Sequence, residues 1–222
     1  MIDLDLAEAL SHRGWIDITR PLTPATPVWP GDEPFAVHTA EEKGCVLSWF
    51  STTCHAGTHL EAPMHLEPGA AAVDEVALGR LIGPAEVVLA TPAGLRIDRR
   101  ALPAGWAPRA SRILVRSDGH PLQQPVGESF AGLDVDLVEW LADQQVELIG
   151  VDTPSVDPFS ATGFEAHRAL ARRGVTWIEG LWLGDANAGL YLLLALPLRL
   201  AGTEAAPLRA LLRPLGKEGA LA

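Results

Sequence analysis

The 222 residues include 48% hydrophobic and 20% charged side chains, an ordinary globular balance that excludes disordered and fibrous classes and, at this length, suffices to bury roughly 70% of the unfolded surface. The formal net charge is −11 and there is no run of five or more Lys/Arg, so nucleic acid and anionic membrane are excluded as partners. Two cysteines, Cys45 and Cys54, are too few for a disulfide framework and fit a reducing compartment.

The opening Met1-Ile-Asp-Leu-Asp-Leu carries acids where a signal peptide needs a basic patch, and no segment supplies about 20 uninterrupted apolar residues. A cytoplasmic, unprocessed protein is expected. Residues 6–12 predict a short helix, Trp15-Ile-Asp-Ile-Thr a strand, and residues 21–34 a proline-rich loop that contains Trp29-Pro-Gly-Asp32. Residues 46–53, rich in β-branched and aromatic side chains, predict a strand that ends at the polar cluster Cys54-His-Ala-Gly-Thr-His59. Short apolar runs predict strands at 85–90, 112–116 and 147–151, whereas 135–144 and 163–173 have helical length and spacing. Two more strands are expected at 175–180 and 191–198, the second with a proline at its exit. Strands outnumber helices and no repeat or linker appears, which predicts one β-rich α/β domain over residues 1–222.

The most informative string is His55-Ala-Gly-Thr-His59-Leu-Glu61-Ala-Pro-Met-His65, three of the seven histidines and a carboxylate within eleven residues. Such an H-x-x-x-H-x-E arrangement can aim two neutral imidazoles and one carboxylate at a single ion, the donor set of catalytic zinc sites that leave a position open for water. Gly57 would let the backbone pass close to the ion or adopt a positive φ. Far along the chain, His167 on the predicted helix and Glu179 on the following strand are twelve positions apart and meet if the helix packs back on the sheet.

These residues resemble the cyclase-like metal-dependent hydrolase family, whose signature is H-x-G-T-H-x-D-x-P-x-H, and within it the bacterial kynurenine formamidase branch. The resemblance extends to Thr26-Pro-Val-Trp29-Pro-Gly-Asp32, Leu148-Ile-Gly-Val-Asp152-Thr-Pro-Ser-Val-Asp157-Pro, Ile178-Glu179-Gly and Leu194-Ala-Leu-Pro-Leu-Arg199. It implies a swivelling β/β/α fold, a homodimer, and hydrolysis of N-formyl-L-kynurenine to L-kynurenine and formate. It also implies two ions per subunit, zinc or else manganese: one held by His55, His59 and the acid at 61, the second by that acid, His167 and Glu179. One departure stands out. The family's aspartate is Glu61 here, one methylene longer, and restoring aspartate is expected to preserve function.

His65 falls outside that ligand set and is the candidate to carry a proton from water to the leaving nitrogen. Trp29 is the candidate surface for the substrate's aromatic ring. Asp32 reads as a turn residue, Asp152 and Asp157 as turn and cap residues or else as groups that orient the metal ligands, and Cys54 as a packing residue. Two alternatives stay open: a hydrolase of a cyclic amide or lactone (isatin or dienelactone type) on the same metal site, and a non-catalytic metal- or ligand-binding member. A serine hydrolase is discounted, because the chain lacks a G-x-S-x-G elbow.

Overall fold

The computed structural model describes residues 14–117, 125–127 and 130–215, so the helix expected over residues 6–12 lies outside them. The class is mixed α/β and rich in strands, as expected. β1 (Ile16–Asp17) is followed by a long loop and a hairpin of β2 (Ala36–Glu42) and β3 (Cys45–Ser51). Then come β4 (His59–Glu61), the short helix α1 (Leu78–Leu81), β5 (Ile82–Leu89) and β6 (Arg96–Ile97). β7 (Arg112–Arg116), β8 (Gly132–Leu133), α2 (Val135–Asp143), β9 (Leu148–Val151), α3 (Glu165–Arg173) and β10 (Thr176–Glu179) continue the chain. β11 (Gly189–Pro197) and β12 (Ala205–Pro214) complete the described part.

Eight strands form one sheet in the order β1-β12-β11-β5-β7-β9-β10-β4, and β4 pairs back onto β12. Seven of them therefore close a ring. β1 shares an edge of β12 with β4, covering Leu211–Leu212 where β4 covers 205–207. β5, β7, β9 and β10 run parallel, and the joins through β11, β12 and β4 are antiparallel.

Because successive side chains of a strand point to opposite faces, the ring separates two apolar clusters. Ala85, Val87, Leu114, Leu148, Ile178, Leu193, Ala210 and Leu212 belong to the cluster that fills the ring. Val88, Ile113, Val115, Ile149, Val151 and Trp177 point the other way and pack against Leu137, Val138 and Leu141 of α2 and Ala166, Ala169 and Leu170 of α3. Both helices form for local reasons. Asp134 caps α2 by accepting from the Asp136 N–H, and α3 stops at Gly174 in a left-handed C-cap.

Three differences from expectation have physical causes. The strand expected over 46–53 is β3, but it pairs only with β2 in a separate two-stranded sheet; the chain turns at 52–58 and a new three-residue strand, β4, carries His59 and Glu61. β2 is rich in charge, and β12 contains Pro207 and Pro214, so neither reads as a strand. Pro207 sits where β12 leaves its pairing with β4, and the neighbouring Leu208 N–H supplies the bond, to Thr58 O at 3.0 Å. Among the described residues, no helix is long and apolar enough to cross a membrane.

Candidate metal centre

The β4–β10 ladder sets His59 opposite Glu179 and Glu61 opposite Trp177, with Leu60 opposite Ile178 between them. Alternation sends Leu60 and Ile178 into the ring. The four others share the outer face, where α3 adds His167. His59, Glu61, His167 and Glu179 are each 3% exposed or less. The two distant stretches of sequence thus meet.

Two of the imidazoles are held in the same way. His59 Nδ1 lies 3.1 Å from the Gly57 carbonyl, which can only accept, so the proton is on Nδ1 and Nε2 presents a lone pair. That lone pair faces Glu61 Oε1 at 3.4 Å and Glu179 Oε2 at 3.3 Å. His59 Nε2 is buried yet has no hydrogen-bond partner. His167 Nδ1 donates to Asp157 Oδ2 at 2.6 Å, and its Nε2 lies 3.2 Å from both Glu61 Oε2 and Glu179 Oε1. Two imidazole lone pairs aimed at two buried carboxylates repel unless a positive charge sits among them.

A proton or a metal ion can supply that charge. Burial works to lower the His59 pKa, but Glu179 and Glu61 outweigh it and push it up to about 10; His167 is raised in the same way by Asp157, Glu179 and Glu61. Against burial, the histidines hold Glu61 and Glu179 below the usual carboxylate range. A proton on His59 Nε2 would find no well-aligned acceptor, whereas a cation needs only the converging donors. The residues fit a metal. Ligand atoms within 4.8 Å of one another fall into two groups, His55-Glu61-His65 and His59-Glu61-Glu179, with Glu61 common to both. This division differs from the one implied by resemblance, though the shared carboxylate is the same residue.

His55, on the turn before β4, puts Nδ1 2.7 Å from Glu61 Oε1, and its Nε2 faces Glu204 Oε1 at 3.3 Å. His65 ends a single 3₁₀ turn, with Nε2 3.9 Å from Glu61 Oε1 and its ring 4.7 Å from that of His55. Burial, aided by His55 and His167 and opposed by Glu61, lowers its pKa, so His65 is neutral at pH 7. Gly57 adopts φ +65, as the sequence suggested, and a Cβ on Gly180, φ +67, would come within 2.1 Å of the Gly57 carbonyl. That close approach of two turns lets β4 and β10 lie side by side.

These groups line one wall of a cavity of about 660 Å³, an ordinary size for a small-molecule site. Trp29 lines it from the proline-rich loop, tilted against Phe159 with centroids 5.0 Å apart. Phe164, not singled out from sequence, stands edge-on to His167 at 5.4 Å and His65 at 6.0 Å, with φ +52. A left-handed phenylalanine costs of order 1 kcal/mol, and such strain clusters at functional sites.

The sequence also undervalued Asp157. It does cap, accepting from the Ala166 and His167 N–H groups at the start of α3, and the same carboxylate fixes the His167 ring. Its neighbour Val156 donates its N–H to Glu179 Oε1 at 2.7 Å. Only the spacing from Asp157 to His167, ten residues across a loop and a helix start, hinted at this. Cys54 lies in a half-buried turn, where burial and then Glu204 raise its thiol pKa, in keeping with packing.

Residues 16–158 match the family described as putative cyclase. The kynurenine formamidase of Bordetella pertussis is 37% identical over 203 residues, covering 90% of this chain and 97% of that protein. Among solved structures, a predicted metal-dependent hydrolase from Bacillus stearothermophilus superposes with a TM-score of 0.77 at 29% identity, over 89% of this chain and 97% of that one. Isatin hydrolase A from Labrenzia aggregata gives a TM-score of 0.79 at 21% identity, over 94% and 97% of the two chains, a likeness of fold alone.

Proposed function

The chain belongs to the putative cyclase family, and from that premise we propose that it is a metal-dependent hydrolase that converts N-formyl-L-kynurenine to L-kynurenine and formate. The observation that carries this reading is the convergence of His59 and His167 Nε2 on the carboxylates of Glu61 and Glu179 at the floor of an aromatic-walled cavity. The 37% identity to a kynurenine formamidase supports the substrate.

We assign His55, His59, Glu61, His167 and Glu179 to holding the metal, two ions of zinc with manganese as the other candidate, since mixed imidazole and carboxylate donors suit either. Such an ion lowers the pKa of bound water and polarises a carbonyl, which is what an unreactive formamide requires. Neutral His65 takes the proton from the attacking water and returns it to the anilide nitrogen as the C–N bond breaks. Trp29, joined by Phe164, receives the aromatic ring. Asp157 holds His167, so that its Nε2 rather than its Nδ1 faces the site.

A homodimer in the cytoplasm belongs to the same reading. The β2–β3 hairpin leaves Val37, Val46, Leu47, Trp49 and Phe50 each about half exposed or more, and an isolated two-stranded hairpin is marginal in water, which supports cover by a second copy. The free thiols of Cys45 and Cys54 support a reducing compartment.

The direct test is to load the protein with zinc or manganese and follow conversion of N-formyl-L-kynurenine to kynurenine by absorbance. Turnover of isatin or a lactone in its place would overturn the substrate, and no hydrolysis of any amide, ester or lactone would overturn the enzyme reading.

A further inference from the structure

Glu61 divides its two oxygens between two sets of neighbours. Oε1 accepts from His55 Nδ1 at 2.7 Å and faces His59 and His65; Oε2 lies 3.2 Å from His167 and accepts the indole N–H of Trp177 at 2.7 Å. Trp177 is 1% exposed, is the direct partner of Glu61 in the β4–β10 ladder, and stands perpendicular to the His167 ring at 5.8 Å. One side chain thus touches both a shared carboxylate and the imidazole beside it.

We propose that Trp177 is a positioning residue for metal binding, and that its indole N–H makes the site specific for glutamate at position 61. An indole nitrogen is a donor only and carries no charge. It fixes the carboxylate plane without neutralising it, where an arginine in the same place would compete with the cation. The length of the side chain matters as much as its charge. An aspartate carboxylate would stop one C–C bond short, about 1.5 Å, stretching the contact past the roughly 3.2 Å reach of an N–H···O bond. The indole N–H would then be buried without a partner, and the carboxylate free to turn. This reverses the expectation from sequence that aspartate would serve equally well at 61.

The inference rests on the metal-site reading and is independent of the substrate. Its test is a double-mutant cycle on the full chain, stripped of metal and titrated with zinc against a chromophoric chelator, with the visible spectrum of the cobalt-loaded protein as second readout. W177F keeps the ring and removes the N–H, and should weaken zinc binding by about 10- to 100-fold and alter the cobalt spectrum. E61D should weaken it to a similar degree, and the double variant should bind no worse than E61D alone. Wild-type zinc affinity and cobalt spectrum in W177F, or losses that simply add, would overturn the proposal. If W177F does not fold, E61D decides alone, since wild-type affinity there would overturn it too. Absence of formylkynurenine turnover alongside normal zinc binding would sink the substrate assignment and leave this one standing.

Discussion

The two faces of the β4–β10 ribbon are opposite in character. On the inner face Leu60 and Ile178, both fully buried, help fill the ring. On the outer face the residues immediately beside them, His59, Glu61, Trp177 and Glu179, assemble polar groups that are almost as buried. Two neighbouring positions on one strand thus have opposite requirements: one needs volume, the other charge compensation. Pairing register enforces the separation, because a slip of one residue would turn the histidine and carboxylates inward and the leucine out.

The largest expected effect comes from the outer face. His59→Ala should abolish tight metal binding and activity together, which elemental analysis and the formylkynurenine assay would reveal; metal retained at wild-type stoichiometry would remove His59 from the ligand set. His65→Ala, at the rim of the same face, should lower kcat by about 10²- to 10⁴-fold with metal content nearly unchanged. A variant that merely loses metal would make His65 a ligand. On the inner face, Ile178→Ala should cost about 2–5 kcal/mol in urea denaturation while molecules that remain folded keep wild-type zinc affinity. Failure of that separation would mean that the two faces act as one unit.

A fourth prediction uses pH. In the metal-free protein the His59 pKa, near 6.5 in the unfolded chain, is pushed up to about 10, with burial opposing and Glu179 and Glu61 prevailing. A raised value stabilises the fold fully below about pH 6.5 and loses that contribution as pH climbs through 10. Calorimetry should therefore show metal-free protein weakening between those limits while zinc-loaded protein, whose histidines are already deprotonated, does not. The destabilisation of Ile178→Ala should be the same across the range, and a pH-dependent cost there would erase the contrast.

Much of this site was legible from sequence. The spacing His55, His59, Glu61 announced a donor set, and α2, β7 and β11 were read within a residue or two, because their apolar patterns are local. What escaped was set by partners distant along the chain. β4 is three residues long and has no periodicity to detect. Trp177 fell inside the expected strand at 175–180 with no role of its own; it is core, and the ladder places its N–H against a carboxylate 116 positions away. For Asp157 capping was favoured over orienting a ligand, but a carboxylate has two oxygens, and it does both.

The closing of the ring bears on how such a protein comes into being. β4 is flanked by β10 and β12, and both are translated long after it, β12 starting only at Ala205. While a ribosome is still extending the chain, His55, His59 and Glu61 have emerged but Glu179 has not, and nothing yet holds His59 and Glu61 in line. A chain that has not reached β10 therefore lacks both Glu179 and the strand that aligns His59 with it. Metal held as proposed here can enter only after β10 and β12 have paired with β4.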